Sequence, residues 1–109
     1  MGLHHTTSVA YGFEIPATTD FERLDAVLAE QPDGERLGRV EHTFLGDFEQ
    51  LFLVAESSEV EANGFARITG SDFTRYEIPV WNTVLHNTAV RLGHELHPEP
   101  AWLVLHDHS

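Results

Sequence analysis

The chain has no cysteine. Disulfides, a thiolate nucleophile and cysteine-ligated zinc are therefore excluded, and a reducing compartment is the natural setting for a small chain that relies on none of them. Lysine is missing as well. All six basic residues are arginines (23, 36, 39, 67, 75 and 91), facing eighteen acids for a formal net charge of −12. Without lysine the chain cannot form the Gly-rich lysine loop that cradles nucleotide phosphates. Its charge opposes approach to phosphate backbones and anionic lipid, so neither nucleic acid nor membrane is expected as a direct ligand. No apolar run approaches the length of a membrane span. The opening Met1-Gly2-Leu3-His4-His5 carries neither the basic nor the apolar stretch of a signal peptide. The expected location is cytoplasmic.

There is enough apolar mass for one core. The 109 residues fit a single α+β domain spanning 1–109, and seven Phe, two Trp and two Tyr bring large buried areas to it. Residues 8–15 place Val9, Tyr11, Phe13 and Ile15 on one face, predicting a strand that stops before Pro16. Residues 19–31 read as a helix. Thr19 and Glu22 match a capping box, Phe21, Leu24, Val27 and Leu28 form a stripe, and Gln31-Pro32-Asp33-Gly34 supplies the stop. Residues 36–45 alternate again, with Val40, His42 and Phe44 on one face. After a turn at Gly46-Asp47, Leu51-Phe52-Leu53-Val54-Ala55 suits a strand over 50–56 buried on both faces and hairpin-paired with its predecessor.

A second helix is predicted over 80–96 from the stripe Trp81, Leu85, Thr88, Leu92 and Leu96, halted by Pro98, and a buried strand follows at 101–105. The order β-α-β-β-α-β is that of a ferredoxin-like antiparallel sheet with two helices on one face. Residues 57–79 hold a turn at Asn63-Gly64 and an apolar stretch at 65–68. They predict either an extra edge strand or a lid.

Three segments carry a resemblance: Tyr11-Gly12-Phe13-Glu14-Ile15, Leu92-Gly93-His94-Glu95-Leu96 and Pro100-Ala101-Trp102-Leu103-Val104. Together they resemble a group of small proteins, without an assigned activity, from actinobacteria and their phages. The resemblance covers the two ends of the chain and carries no catalytic residue onto it. It implies an accessory protein, phage-encoded or actinobacterial.

Eight histidines are the enriched reactive type. His94-Glu95-Leu96-His97 lacks the i,i+4 spacing of a zincin motif, but His94 and His97 could share one ion. On a strand, His106 and His108 point to one side and could chelate with a third ligand from elsewhere. For both pairs the ordinary alternative is solvated surface histidine. No Gly-x-Ser-x-Gly elbow is present, and eighteen acids make any carboxylate pair uninformative. Phe65, Arg67, Phe73, Arg75 and Tyr76 form the one cluster of aromatic and basic side chains, the residue types that contact surfaces favour. Filling of a local core is the competing reading.

The leading expectation is a non-enzymatic, acidic protein–protein binding module without a cofactor. Its partner would carry a basic surface, and pairing of two copies is a further expectation. Two alternatives stay open: a DNA mimic that blocks a nucleic-acid-binding protein, and a histidine-based metal-dependent enzyme.

Overall fold

Alternating apolar residues build the central strand β1 (His5–Ile15), which ends where Pro16 removes a backbone donor. The elements that follow are α1 (Phe21–Ala29), β2 (Glu41–Leu45), β3 (Gln50–Val60), a one-turn 3-10 helix (Gly70–Phe73), α2 (Ile78–Arg91) and β4 (Ala101–His108). The computed structural model describes residues 5–31, 38–46 and 49–108, with side chains for all of these except His5 and His108. The protein is α+β: four antiparallel strands in the order β2-β3-β1-β4, with two helices.

Both helices cover one face. Tyr11, Phe13 and Ile15 of β1 and Leu51 and Leu53 of β3 meet Leu24 and Val27 of α1 and Trp81, Leu85 and Ala89 of α2 in one buried cluster. The opposite face has no helix, yet Ala10, Phe52, Val54 and Leu105 are buried there, with Leu45 and Leu103 packed around them. Coiling of the sheet explains this. The two edge strands, β2 and β4, curl toward each other across that face, and the Gly46 N–H donates to Asp107 Oδ1 at 3.0 Å. A β-bulge lies at the centre: Tyr11 stands opposite Glu56 and Gly12 opposite Val54, which leaves Ala55 unpaired. A bulge of this kind sharpens the local twist.

Several boundaries differ from those the pattern predicts. The N-cap of α1 is Asp20, whose carboxylate accepts the Glu22 N–H at 3.0 Å. Thr19 donates instead to the Pro16 carbonyl. At its other end, the Gln31 side chain accepts the Val40 N–H at 2.6 Å and donates to the Val40 carbonyl at 2.7 Å. That two-bond bridge pins the end of α1 to the entry of β2; the turn expected at residues 32–34 lies outside the described residues.

Strand β3 runs on through Val60, because pairing with β1 from Glu56 to Val60 satisfies its backbone whatever its side chains are. The extra edge strand is not formed: residues 65–68 adopt no strand pairing and form an irregular segment facing Val9, Glu56 and Val60. Strand β4 lies at the sheet edge rather than buried within it, and Val104 is exposed. Helix α2 stops at Arg91, five residues before the predicted 96. Gly93 takes φ +86°, the Gly93 N–H reaches the Val90 carbonyl and the His94 N–H reaches the Ala89 carbonyl. That is a Schellman termination, which a glycine at this position makes cheap. Leu96 is consequently off the helix and fully exposed. Among the described residues, no helix is long and apolar enough to cross a membrane.

Candidate functional site

The segment from residue 61 to 77 folds against the helix-covered face near the far ends of β1, β3 and β4. Asn63 at φ +63° and a Gly64 N–H bond to the Glu61 carbonyl reverse the chain after β3. Asp72 then closes the next turn, its carboxylate accepting the Thr69 N–H at 2.8 Å. Two anchors hold this segment down. The Trp102 indole N–H donates to the Asp72 carbonyl at 2.9 Å. Arg75 binds Glu77 at 2.6 Å and Glu56 of β3 at 3.7 Å, and its guanidinium lies 4.8 Å from the centre of the Trp81 ring.

The Arg75 side chain donates directly to Glu77, and this bond holds the Glu77 carboxyl below the usual carboxylate range and raises the Arg75 guanidinium further. Beneath it, Tyr11, Trp81 and Trp102 form a ring cluster with centroids 5.3–5.9 Å apart.

Between this segment and the sheet lies a cleft of about 450 Å³. Val9, Val60, Phe65, Ile68 and Trp102 supply its apolar lining, and Glu56, Glu59, Asp72, Arg67 and Arg75 its charges. The sequence-predicted residues Phe65, Arg67 and Arg75 therefore come together here. Phe73 borders a neighbouring depression with Tyr11, Ile78 and Pro100. Tyr76 lines neither cavity and is 82% exposed, close to the 86% of Phe65. Pattern reading missed the strand contributors Val9, Glu56, Ser58 and Trp102. The one available signal was Glu56, the acid that directly follows the apolar run of β3.

Of the four metal-ligand candidates, His94 and His97 take different partners, while His106 and His108 stand two residues apart on β4. Because α2 ends early, His94 and His97 lie in the returning strap and not on one helix face. The His94 ring meets the Thr19 hydroxyl at 2.9 Å. His97 lies against His86. His106 is exposed on β4, and the backbone register pairs His108 with His5 of β1; the His108 side chain lies outside the described residues. Among the described residues, no three His, Asp or Glu side chains converge as a metal-ligand group. His42 packs edge-on between Phe21 and Phe44, a sheet-face histidine with aromatic neighbours.

Tyr11 gives a pH prediction. Burial pushes its phenol above the ordinary 10.0, partly offset by its hydrogen bond to Asn82 Oδ1 at 2.7 Å, while Glu99 adds to the rise. The folded state thus resists ionisation that the unfolded chain accepts. The Tyr11 contribution is intact below the ordinary phenol range, and stability falls as pH rises through that range. Urea midpoints measured from pH 8 to pH 11 should decline in the wild type and decline less in Tyr11→Phe. Equal slopes would refute this.

Set against family models, curated proteins and solved structures, the chain matches none of them.

Proposed function

We propose that this chain is a non-enzymatic acidic binding module whose cleft beside residues 61–77 receives a basic, extended segment of a protein partner. The observation that carries the reading is the cleft itself. Its apolar floor is flanked by three carboxylates (Glu56, Glu59, Asp72) and two guanidiniums (Arg67, Arg75), one of which already binds Glu77. The local balance, like the overall charge of −12, attracts cations. Phe65 and Tyr76 stand almost fully exposed on the segment. Exposed aromatics beside arginine are the side chains that dominate binding energy at protein interfaces.

Affinity capture with the wild type and with the double variant Phe65→Ala/Tyr76→Ala tests this. The wild type should retain a protein that elutes as salt is raised and that the variant loses, with both chains showing the same circular dichroism. Loss of the two exposed aromatics, Phe65 in the cleft lining and Tyr76 beside it, should weaken binding by about 30-fold or more. Equal capture by both chains, or turnover of a substrate, defeats the proposal. Competition by duplex DNA for the captured protein would instead favour the DNA-mimic reading.

The ferredoxin-like reading draws on the β-α-β-β-α-β element order and the central place of β1 and β3, while the curl joining β2 to β4 sets this sheet apart from a flat one. An accessory role in an actinobacterium or its phage draws on the resemblance carried by residues 11–15, 92–96 and 100–104, with the lysine-free composition in keeping with a GC-rich genome. A cytoplasmic site draws on the lack of cysteine. Pairing of two copies draws on β4, an edge strand with Val104 66% exposed.

A further inference from the structure

Beyond the Schellman turn the chain doubles back over β1, and His97 lands flat on the Phe13 ring, with centroids 4.1 Å apart and planes 10° from parallel. Its Nδ1 lies 2.8 Å from the Pro98 carbonyl oxygen. A carbonyl only accepts, so in the neutral ring Nδ1 carries the proton and Nε2 presents a bare lone pair. That lone pair faces His86 Nδ1 of α2 at 2.8 Å. His86 must therefore be the donor, protonated at Nδ1. Two imidazole nitrogens converge on one point with a single proton between them.

We propose that His86 and His97 form a two-histidine site for a divalent transition-metal ion of the zinc or nickel class. Imidazole nitrogen selects such ions over magnesium or calcium, which take oxygen ligands. Two zinc–nitrogen bonds of about 2.0–2.1 Å at a tetrahedral angle set the nitrogens about 3.4 Å apart, so the pair must open by roughly 0.6 Å. His86 is exposed and can swing by that much; His97 is held by its stacking on Phe13. The bond from His97 Nδ1–H to a backbone carbonyl is the outer contact that orients a metal-binding histidine and fixes which nitrogen is free. On binding, the His86 proton leaves Nδ1 and is replaced on Nε2 of the same ring, so the neutral pair releases no net proton. The two histidines leave positions on the ion for water.

The test uses the untagged full chain with His4, His5, His106 and His108 changed to Gln, which removes the terminal histidines as competitors. Before metal is added, long-range nitrogen–proton spectra should show both His86 and His97 protonated at Nδ1. Titration with zinc chloride in a non-coordinating buffer should then show one ion bound per chain, with the His86 proton moving to Nε2. His86→Gln and His97→Gln should each weaken uptake by at least about tenfold. His94→Gln should leave it unchanged. His86→Gln is the decisive variant, because His86 is exposed and its loss leaves the stacking of His97 on Phe13 in place. Protonation of either ring at Nε2 in the metal-free chain, no saturable uptake, or uptake unchanged in His86→Gln would each overturn the proposal.

Discussion

Gly12→Ala should lower the stability of the fold by about 3 kcal/mol or more, a large share of what a domain of this size possesses. A Cβ added at Gly12 would stand 1.9 Å from the Leu53 carbonyl oxygen and 2.9 Å from both the Leu53 carbonyl carbon and Val54 Cα. All three are backbone atoms of β3, the strand paired along the length of β1, so no side chain can rotate aside. The clash arises from the bulge. With Ala55 unpaired, β3 bends over β1 just where Gly12 faces Val54, and only a residue without a side chain admits that approach. Relief would require β3 to move away, flattening the coil that brings β2 and β4 together over Phe52, Val54 and Leu105. Urea unfolding should therefore show a lower midpoint at an unchanged slope, together with loss of protection at the Gly46 amide, which binds Asp107. A loss below about 1 kcal/mol would mean that the strands yield easily, and the account of the coil would fail.

This glycine also shows where sequence reading stops. The inward faces of β1, β2 and β3 are legible, and so are those of both helices except at Phe21 and Leu96, which the stripes include and which are exposed, because periods of two and 3.6 name the side chains that must leave water. Leu51 through Ala55 read as a strand buried on both faces; the first four are buried and Ala55 is partly so. What was not legible depends on partners distant in the chain. Ser57, Ser58 and Glu59 look like loop, and they form strand only because β1 supplies backbone partners. An isolated glycine inside an apolar alternation signals a bulge but does not say which neighbour comes close. Gly93 was the more accessible sign: a glycine followed by polar residues near a helix end ends a helix as effectively as the proline beyond it.

The candidate site divides in the same way. Phe65, Arg67 and Arg75 stood out by residue type. The wall opposite them belongs to Val9, Glu56 and Trp102, which only the sheet register brings together. The contact between His86 and His97 is not legible from the pattern, because the predicted helix runs to residue 96 whereas the chain turns back at Gly93.

The second large effect is expected at Trp81. This is the largest fully buried side chain, 2% exposed, and it touches both the core and the segment that forms the cleft. Its ring packs 5.4 Å from Tyr11 and 5.9 Å from Trp102, edge-on to the latter, and carries the Arg75 guanidinium on its face. Trp81→Ala removes a full indole from a site enclosed by two strands and its own helix, where collapse is hard, and should cost about 3–5 kcal/mol. Trp81→Phe separates the two roles. It keeps an aromatic ring in the core but weakens the platform under Arg75, because indole is the strongest cation–π partner. The domain should stay folded, while the 61–77 segment opens more often than in the wild type. Limited trypsin digestion reads this out, since the segment contains Arg67 and Arg75. Cleavage there should be faster in Trp81→Phe than in the wild type under conditions where both chains have the same circular dichroism. An unchanged cleavage rate would show that the Trp102–Asp72 and Arg75–Glu56 contacts hold the segment without Trp81. Binding at the cleft would then be independent of the core beneath it.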